Sequence, residues 1–316
     1  MKKFLIKIAI FAVVLYGLAW GLDYAISKGL YQMDDYRFIS WREMQRGNIN
    51  ADILYVGNSR ALSHFEPWTI DSICGTTSYN LGIGGYAIMV SVLKYQYYRL
   101  YNEKPKIIIQ QADLGTILND SAPHRHQSEQ FLPLIYDRRM HKELRRVGYT
   151  ILDIYCPLYR YWGYQVVIKQ GLLECMGIKH YICDSSRQGF HYERGEWNGS
   201  ELAKLDTIYA RINPAGRLRF ESYMRQCYEE GIKVILVNTP TYIGATNKMV
   251  GLEQIDAYFD SIASEYNTVY WNYTYDEICN DTTNFVVSVH MNPRATHKFC
   301  VKIANRLKDE CFGVFN

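Results

Sequence analysis

Short, continuous apolar segments alternate with longer amphipathic ones along most of the 316-residue chain, and this alternation constrains the fold more than any other feature. Segments with the length and apolar character of buried strands are Asp52–Gly57, Thr77–Leu81, Lys106–Gln110, Lys233–Val237 and Thr268–Trp271. Segments of helical length are Tyr86–Tyr101, Ala215–Glu230, Leu252–Tyr266 and Pro293–Lys308. Continuously apolar strands that alternate with helices predict an α/β fold, in which helices cover both faces of a parallel sheet.

The amino terminus contains a 19-residue apolar run from Phe4 to Leu22, which only Lys7 interrupts. About 20 residues are needed to cross the hydrocarbon core of a bilayer as a helix. We therefore predict an uncleaved membrane anchor with residues 4–22 in the bilayer. A cleaved secretory signal, with a weak cleavage site at Gly17–Ala19, is one alternative, and a buried helix of a soluble protein is another.

The charges around this run favour a cytoplasmic amino terminus, because Lys2, Lys3 and Lys7 lie at its start. The remainder of the chain is then extracytoplasmic, either periplasmic or extracellular. The predicted divisions are an anchor over residues 1–24, a stalk over 25–50, and an α/β domain over 51–316 that carries a mostly helical insertion at 115–212.

The composition argues against nucleic-acid and zinc-binding proteins. With 35 Lys and Arg against 32 Asp and Glu, the net charge of +3 is too small to indicate a nucleic-acid partner. The eight cysteines include no CxxC pair and the eight histidines form no HExxH motif, so we predict no metal site. Outside the cytoplasm the cysteines could form disulfides, and buried free thiols are the alternative.

The predicted insertion combines a basic cluster with aromatic residues. These features suggest a groove for an anionic or carbohydrate substrate, and a solvated charged helix with ordinary aromatic packing is the alternative. The basic cluster comprises Arg138, Arg139, His141, Lys142, Arg145 and Arg146, and the aromatic group comprises Tyr155, Tyr159, Tyr161, Trp162 and Tyr164.

Three polar or glycine-rich blocks follow or adjoin the predicted strands. Gly57–Arg60 comes directly after the first strand, Asn80–Gly85 overlaps the end of the second, and Ser288–Pro293 precedes the last helix. Parallel strands place their carboxyl ends at one edge of a sheet, so a serine and a histidine from the first and last blocks can meet there. The pair Ser59 and His290 would then supply a nucleophile and its general base.

Each block also has a simpler interpretation. A serine after glycine and asparagine is an ordinary helix cap, and closely spaced glycines form tight turns. A lone histidine before a helix can cap it or pack against it. The order of the blocks and their positions at strand ends favour the catalytic interpretation over three separate structural ones.

Taken together, the three blocks resemble those of the SGNH/GDSL hydrolase superfamily, with Asn58 where the namesake motif has aspartate. The resemblance implies a three-layer, flavodoxin-like parallel sheet, with Ser59 as nucleophile and His290 as base. It further implies an oxyanion hole formed by the amides of Ser59 and Gly85 and by a side chain near Gln111, with Asp113 as the less favoured position. It implies no cofactor. Candidate substrate contacts are Asn58, Arg60, Trp162 and Asn292.

With its predicted anchor, the chain is similar to membrane-anchored members of this superfamily that modify cell-envelope polymers, such as polysaccharide O-acetyltransferases and the D-alanyl-teichoic-acid pathway protein. This implies an acyl-ester hydrolase or O-acyltransferase that acts on envelope polysaccharide, with the bilayer and a membrane-bound acyl donor protein as partners. One position departs from the family pattern, since Val287 stands where an acidic residue normally supports the histidine. The candidates to replace it are a backbone carbonyl, or Asp276, Glu277 or Asp281 from the preceding loop.

Two other functions remain open at this point. A catalytically degenerate, glycan-binding or scaffold protein would also explain Val287 and the aromatic insertion. A phosphate-handling protein would draw on the basic cluster alone.

Overall fold

The structure is a computed structural model that describes residues 1–85, 88–118, 129–182 and 186–315, with side chains up to Glu310. The chain divides into two compact units. The first contains Met1–Arg42 and Ala122–Asp184, and the second contains Glu43–Ser121 and Ser185–Asn316.

The α-helices of the described residues are numbered in chain order, and some of them consist of a single turn. They are α1 (Lys2–Gln32), α2 (Tyr36–Arg46), α3 (Ser59–His64), α4 (Pro67–Cys74), α5 (Ile88–Arg99), α6 (Leu114–Ile117), α7 (His141–Arg146), α8 (Ile151–Tyr155), α9 (Gln165–Cys175), α10 (Ser200–Lys204), α11 (Pro214–Glu229), α12 (Ile243–Thr246), α13 (Leu252–Glu265) and α14 (Pro293–Phe315). Short 3₁₀ helices cover Glu129–Tyr136, Arg138–Met140, Tyr159–Tyr161, Glu277–Asn280 and Thr282–Asn284.

A five-stranded sheet forms the centre of the second unit. Its strands are β1 (Ile53–Val56), β2 (Ser78–Asn80), β3 (Ile107–Gln111), β4 (Lys233–Asn238) and β5 (Tyr270–Asn272). All neighbouring strands are parallel, in the order β2-β1-β3-β4-β5, which is the flavodoxin-like order. The predicted parallel α/β sheet is therefore confirmed.

Helices cover both faces of this sheet, as its continuously buried strands require. Ile53, Ile107 and Ile235 point toward the face that packs against α4 and α14. The opposite face is covered by α5 and α11, whose Tyr95 and Tyr223 rings meet edge to face at 5.5 Å. Because side chains alternate along a strand, each short strand supplies side chains to both faces of the sheet.

Short two-stranded pairs flank the sheet in the second unit. One of them, Phe285–Val287 with His290–Met291, is antiparallel and carries the predicted catalytic histidine. The other pairs are Ser186–Arg187 with Phe190–His191 and Ile208–Tyr209 with Met249–Val250.

In the first unit α1 is long and apolar enough to cross a membrane, and its residues from Lys2 to Leu18 are exposed. Its carboxyl-terminal part packs against α9 at two glycines. A Cβ atom on Gly29 would lie 1.8 Å from the carbonyl oxygen of Gly171, and one on Gly171 would lie 2.6 Å from that of Ile26. The two backbones can approach this closely only because both positions lack a side chain.

A buried ion pair joins α1 to the following part of the first unit. Both guanidinium Nη atoms of Arg160 donate to the carboxylate of Asp23 at 2.6 Å, and both side chains are almost completely buried. Tyr136 Oη and the amide of Leu158 also donate to this carboxylate, at 2.6 and 2.7 Å. The network satisfies both charges and fixes α1 against residues 136–160.

The described cysteines are free thiols, namely Cys74, Cys156, Cys175, Cys227, Cys279 and Cys300. Cys183 lies outside the described residues, and so does the side chain of Cys311. The predicted boundaries of anchor, stalk and insertion stay predictions, as does the extracytoplasmic location.

Candidate active site

Ser59 is the first residue of α3, directly after the turn that leaves β1. Asn58 caps this helix, because its Oδ1 accepts a hydrogen bond from the amide of Arg60 at 2.9 Å. Gly57 allows the turn to pass close to β3, since a Cβ atom there would lie 2.6 Å from both Cβ and Oε1 of Gln111. The serine is thereby placed at the carboxyl edge of the sheet.

The hydroxyl of Ser59 and the imidazole of His290 form a hydrogen bond across a separation of 231 residues. The distance between Ser59 Oγ and His290 Nε2 is 2.9 Å. This is within the range of a general base that can take a proton from a serine. The structure thus brings together the two residues that were predicted to act as nucleophile and base.

A second histidine holds the backbone beside His290. The buried His64 accepts a hydrogen bond from the amide of Met291 at Nε2, at 3.1 Å. Its Nδ1 therefore carries the proton and donates to Thr239 Oγ1 at 2.8 Å. Burial lowers the pKa of His64 well below its ordinary value, so the ring is neutral. His64 acts as an uncharged support for the residue that follows His290.

His290 is also neutral over most of the pH range. Burial and, to a lesser extent, the positive charge of Arg60 lower its pKa from 6.5 to about 4, while Glu201 opposes this shift. A neutral imidazole has a free lone pair on one nitrogen, and a general base needs this lone pair. With Ser59 donating to Nε2, the proton resides on Nδ1.

Glu201 is a site residue that sequence reasoning missed. Its carboxylate, on α10, accepts a hydrogen bond from the amide of Ser288, and its charge raises the pKa of His290. It lies 87 residues before Ser288, within the predicted insertion, and no spacing rule connects the two positions. Only the folded structure shows that this carboxylate contacts the segment that leads to His290.

The three carboxylates that were expected to replace the missing acid at Val287 have other contacts. Asp276 caps a 3₁₀ helix through the amide of Ile278 and pairs with Lys302 at 2.5 Å. Asp281 accepts from the amide of Thr283 at 2.8 Å. The side chain of Glu277 is 88% exposed and lies 3.9 Å from Lys302.

Gln111 holds the turn that carries the serine. Its buried Oε1 accepts hydrogen bonds from the amides of Asn58 and Ala61, at 2.9 and 3.2 Å, and its Nε2 donates to Asp113 at 2.6 Å. Asp113 also pairs with Arg60, which donates to the carbonyl of Thr239 as well. These contacts give Gln111 a positioning function, and its predicted part in an oxyanion hole stays a prediction.

The remaining predicted site residues lie in different surroundings. Gly85 is exposed in the loop after β2, with a φ of +80°. Asn292 caps α14, because its Oδ1 accepts from the amide of Ala295 at 3.0 Å. Trp162 belongs to the first unit, where its side chain is 81% exposed. The oxyanion-hole role of Gly85 and the substrate contacts of Asn292 and Trp162 stay predictions.

A cavity of about 260 Å³ opens beside Ser59 in the second unit. Asn58, Ser59 and Arg60 form part of its polar side, together with Asp113, Asn238 and several threonines. Its apolar residues are Leu114, Leu118, Ile208, Met249, Leu252 and Val289. Among the residues that the structure describes, no group of three or more His, Cys, Asp or Glu side chains is arranged to hold a metal ion.

No known family model matches the chain, and no curated protein matches it in sequence. The fold is similar to a solved structure from Desulfitobacterium hafniense DCB-2 that is described as a "putative lipolytic protein of G-D-S-L family". The comparison covers 81% of this chain and 98% of that chain, with 11% sequence identity and a TM-score of 0.40.

The pKa of His290 can be measured by NMR titration of the histidine side chains in the full chain. We expect a midpoint of about 4 for His290 and, in the same sample, a midpoint above 6.5 for the exposed His180, whose pKa is raised by its hydrogen bond to Glu174. Arg60→Gln should raise the midpoint of His290, because it removes a positive charge, whereas Arg60→Lys should keep it low. A midpoint near 6.5 in the wild type would contradict this electrostatic description.

Proposed function

We propose that the chain is a serine-dependent acyl-ester hydrolase or O-acyltransferase in which Ser59 is the nucleophile and His290 the general base. The observation that carries the proposal is the 2.9 Å hydrogen bond between Ser59 Oγ and His290 Nε2. The neutral state of His290 supports it, because a protonated imidazole cannot accept the serine proton.

In the first half of the reaction, Ser59 Oγ attacks the carbonyl carbon of the ester, and His290 Nε2 takes the hydroxyl proton. The tetrahedral intermediate carries a negative oxygen. The amide of Ser59, at the start of α3, and the amide of Gly85 are the proposed donors to this oxygen. Collapse of the intermediate breaks the bond to the leaving alcohol, which receives the proton from His290.

In the second half, the acyl group on Ser59 passes to an acceptor. His290 removes a proton from water or from a sugar hydroxyl, and the resulting oxygen nucleophile attacks the acyl carbon. The bond to Ser59 then breaks, and the serine recovers its proton from His290. A hydrolase and a transferase share these steps and differ in which acceptor reaches the acyl-enzyme.

The mixed lining of the cavity suits an ester. Apolar side chains such as Leu118, Met249 and Leu252 offer a surface for the carbon chain of an acyl group. Asn58, Arg60 and Asn238 offer hydrogen bonds to the polar part of the substrate. One cavity can therefore bind both ends of the reacting bond beside Ser59.

We further propose an extracytoplasmic enzyme that is anchored in the membrane by residues 4–22 and acts on cell-envelope polysaccharide. The length and apolar character of α1 support the anchor. Tethering would keep the site close to polymers of the envelope. In the transferase version, a membrane protein that supplies acyl groups would be the partner.

The alternative is a scaffold or glycan-binding protein that keeps the fold without turnover. Val287 favours it, because the acid that usually supports the histidine is missing from its usual place. The exposed ring of Trp162 is a candidate for carbohydrate stacking in that case. The kinetics of a Ser59 variant separate the two proposals.

Ser59→Ala should reduce the hydrolysis of a chromogenic acetyl or butyryl ester by at least about 10³-fold, because the attacking oxygen is lost. The measurement uses the full chain in detergent or nanodiscs. Ser264→Ala, on the exposed face of α13, is the matched control and should keep the wild-type rate. Equal rates for both variants would contradict the enzyme proposal, and glycan binding that Trp162→Ala abolishes and Ser59→Ala spares would favour the alternative.

Glu201→Gln tests whether this carboxylate replaces the missing acid. Loss of its charge should lower the pKa of His290 further, so the acid limb of the pH–rate profile should move to lower pH. The plateau of kcat should fall about 10- to 100-fold, which is less than the roughly 10⁴-fold loss in serine proteases whose acid bonds the histidine directly.

Glu253→Gln, at an exposed position that is also in the first turn of a helix, serves as the control for Glu201→Gln. It should change neither the plateau of kcat nor the acid limb. A Glu201→Gln enzyme with an unshifted acid limb would show that Glu201 supports only the local backbone.

A further inference from the structure

The first unit has a group of exposed apolar side chains in and just after α8, in addition to those of α1 and to Met176, Ile178 and Ile182. In α8, Ile151, Leu152 and Tyr155 are exposed, whereas Asp153 and Ile154 are buried. The residues after α8 extend this surface with Tyr159, Trp162 and Val166, of which Trp162 is the most exposed at 81%. We call these six residues the α8 surface. Apolar groups of this size rarely cluster on the water-exposed surface of a soluble protein.

Contacts with α1 fix the position of the α8 surface along the helix axis. Tyr16 Oη donates to the carbonyl oxygen of Tyr155 at 3.2 Å. Seven residues further along α1, Asp23 binds Arg160 at 2.6 Å. These two contacts occur in the same order on both segments. The chain from 155 onward therefore follows α1 in the same direction, and α8 lies nearest to its amino-terminal, apolar part.

The glycine contact and the last contact of α1 extend this order. Ile26 and Gly29 meet Gly171, and Asp34 forms a strand-like bridge to Ile182. Higher residue numbers on the partner segment thus lie further from the apolar run. The α8 surface is the part of this segment closest to the proposed bilayer.

The depth of α8 follows from the helical rise. Tyr16 lies six residues before Leu22, the end of the proposed span, which corresponds to about 9 Å at 1.5 Å per residue. Helices that lie in the membrane interface bury their apolar faces by roughly 5–10 Å. A segment that contacts Tyr16 therefore reaches the boundary between headgroups and acyl chains, provided that α1 spans the bilayer.

We infer that the α8 surface is a second lipid contact of this protein and lies in the membrane interface beside α1. The inference rests on the proposed anchor and adds an interfacial element to it. The tyrosines and the tryptophan suit this location, because their rings are partly apolar and partly polar. The buried Asp23–Arg160 pair fixes this surface to α1. Insertion of α1 into the bilayer therefore places α8 at the depth of Tyr16.

Basic side chains next to α8 define the lipid that this surface favours. The His141 ring at the start of α7 packs edge to face on Tyr155, with ring centroids 5.8 Å apart. Positive charges near a bilayer attract anionic headgroups, so a phosphatidylglycerol-containing membrane is the matching partner. The exposed basic residues of this region are Arg138, Lys142 and Arg145, together with Arg139 and Arg146, which pair with Asp137 and Glu143.

The test measures tryptophan quenching by lipids with brominated acyl chains. The full chain is placed in nanodiscs of phosphatidylcholine and phosphatidylglycerol, with and without bromine. Because a tryptophan is quenched only near the bromines, replacement of a quenched tryptophan lowers the quenchable share of the fluorescence. We expect Trp162→Phe and Trp20→Phe to lower this share, and Trp197→Phe, in the second unit, to leave it unchanged or raise it.

The outcomes separate the anchor from the additional contact. A loss with both Trp20→Phe and Trp162→Phe supports the inference. A loss with Trp20→Phe but none with Trp162→Phe overturns it and leaves the anchor intact. No loss with Trp20→Phe overturns the anchor and the interfacial surface together.

Discussion

The turn between β1 and α3 is held in place by hydrogen bonds from its backbone amides to the side chain of Gln111. This amide side chain comes from the end of β3, the neighbouring strand in the sheet. Without it, the partly buried amide of Asn58 and the buried amide of Ala61 would lose their partner, at a cost of up to about 1–3 kcal/mol for each. Gly57 is required for the same reason, because any Cβ atom there would occupy the position of the Gln111 side chain. The location of Ser59 thus depends on contact between two strand ends.

The histidine depends on a separate set of contacts. His64 and Glu201 each accept a hydrogen bond from a backbone amide beside His290. Arg60 and Glu201 then act on its pKa in opposite directions, while burial sets the main shift. Arg60 also pairs with Asp113, which accepts from Gln111, so the supports of the nucleophile and the electrostatics of the base share residues. Burial, reinforced by the charge of Arg60, keeps the imidazole neutral next to the serine.

Much of the fold and part of the site could be predicted from the sequence. The strands were recognisable because strands buried on both faces are continuously apolar, as in Ile53–Val56. Ser59 and His290 could be paired because parallel strands share one carboxyl edge. Glu201 could not be found, since its link to the histidine loop is a backbone hydrogen bond between distant segments. The burial of Asp23 at the end of an apolar run could not be predicted either, because its partner Arg160 lies 137 residues away in the sequence.

The most direct test of the central proposal is covalent labelling of the full chain with a fluorophosphonate, followed by peptide mass spectrometry. We expect a single adduct on Ser59. Its rate of formation should fall as the pH drops through about 4, where His290 becomes protonated, and should fall strongly in His290→Gln. A folded chain that forms no adduct on Ser59, or one that reacts equally fast in His290→Gln, would contradict the assignment of Ser59 and His290 as nucleophile and base.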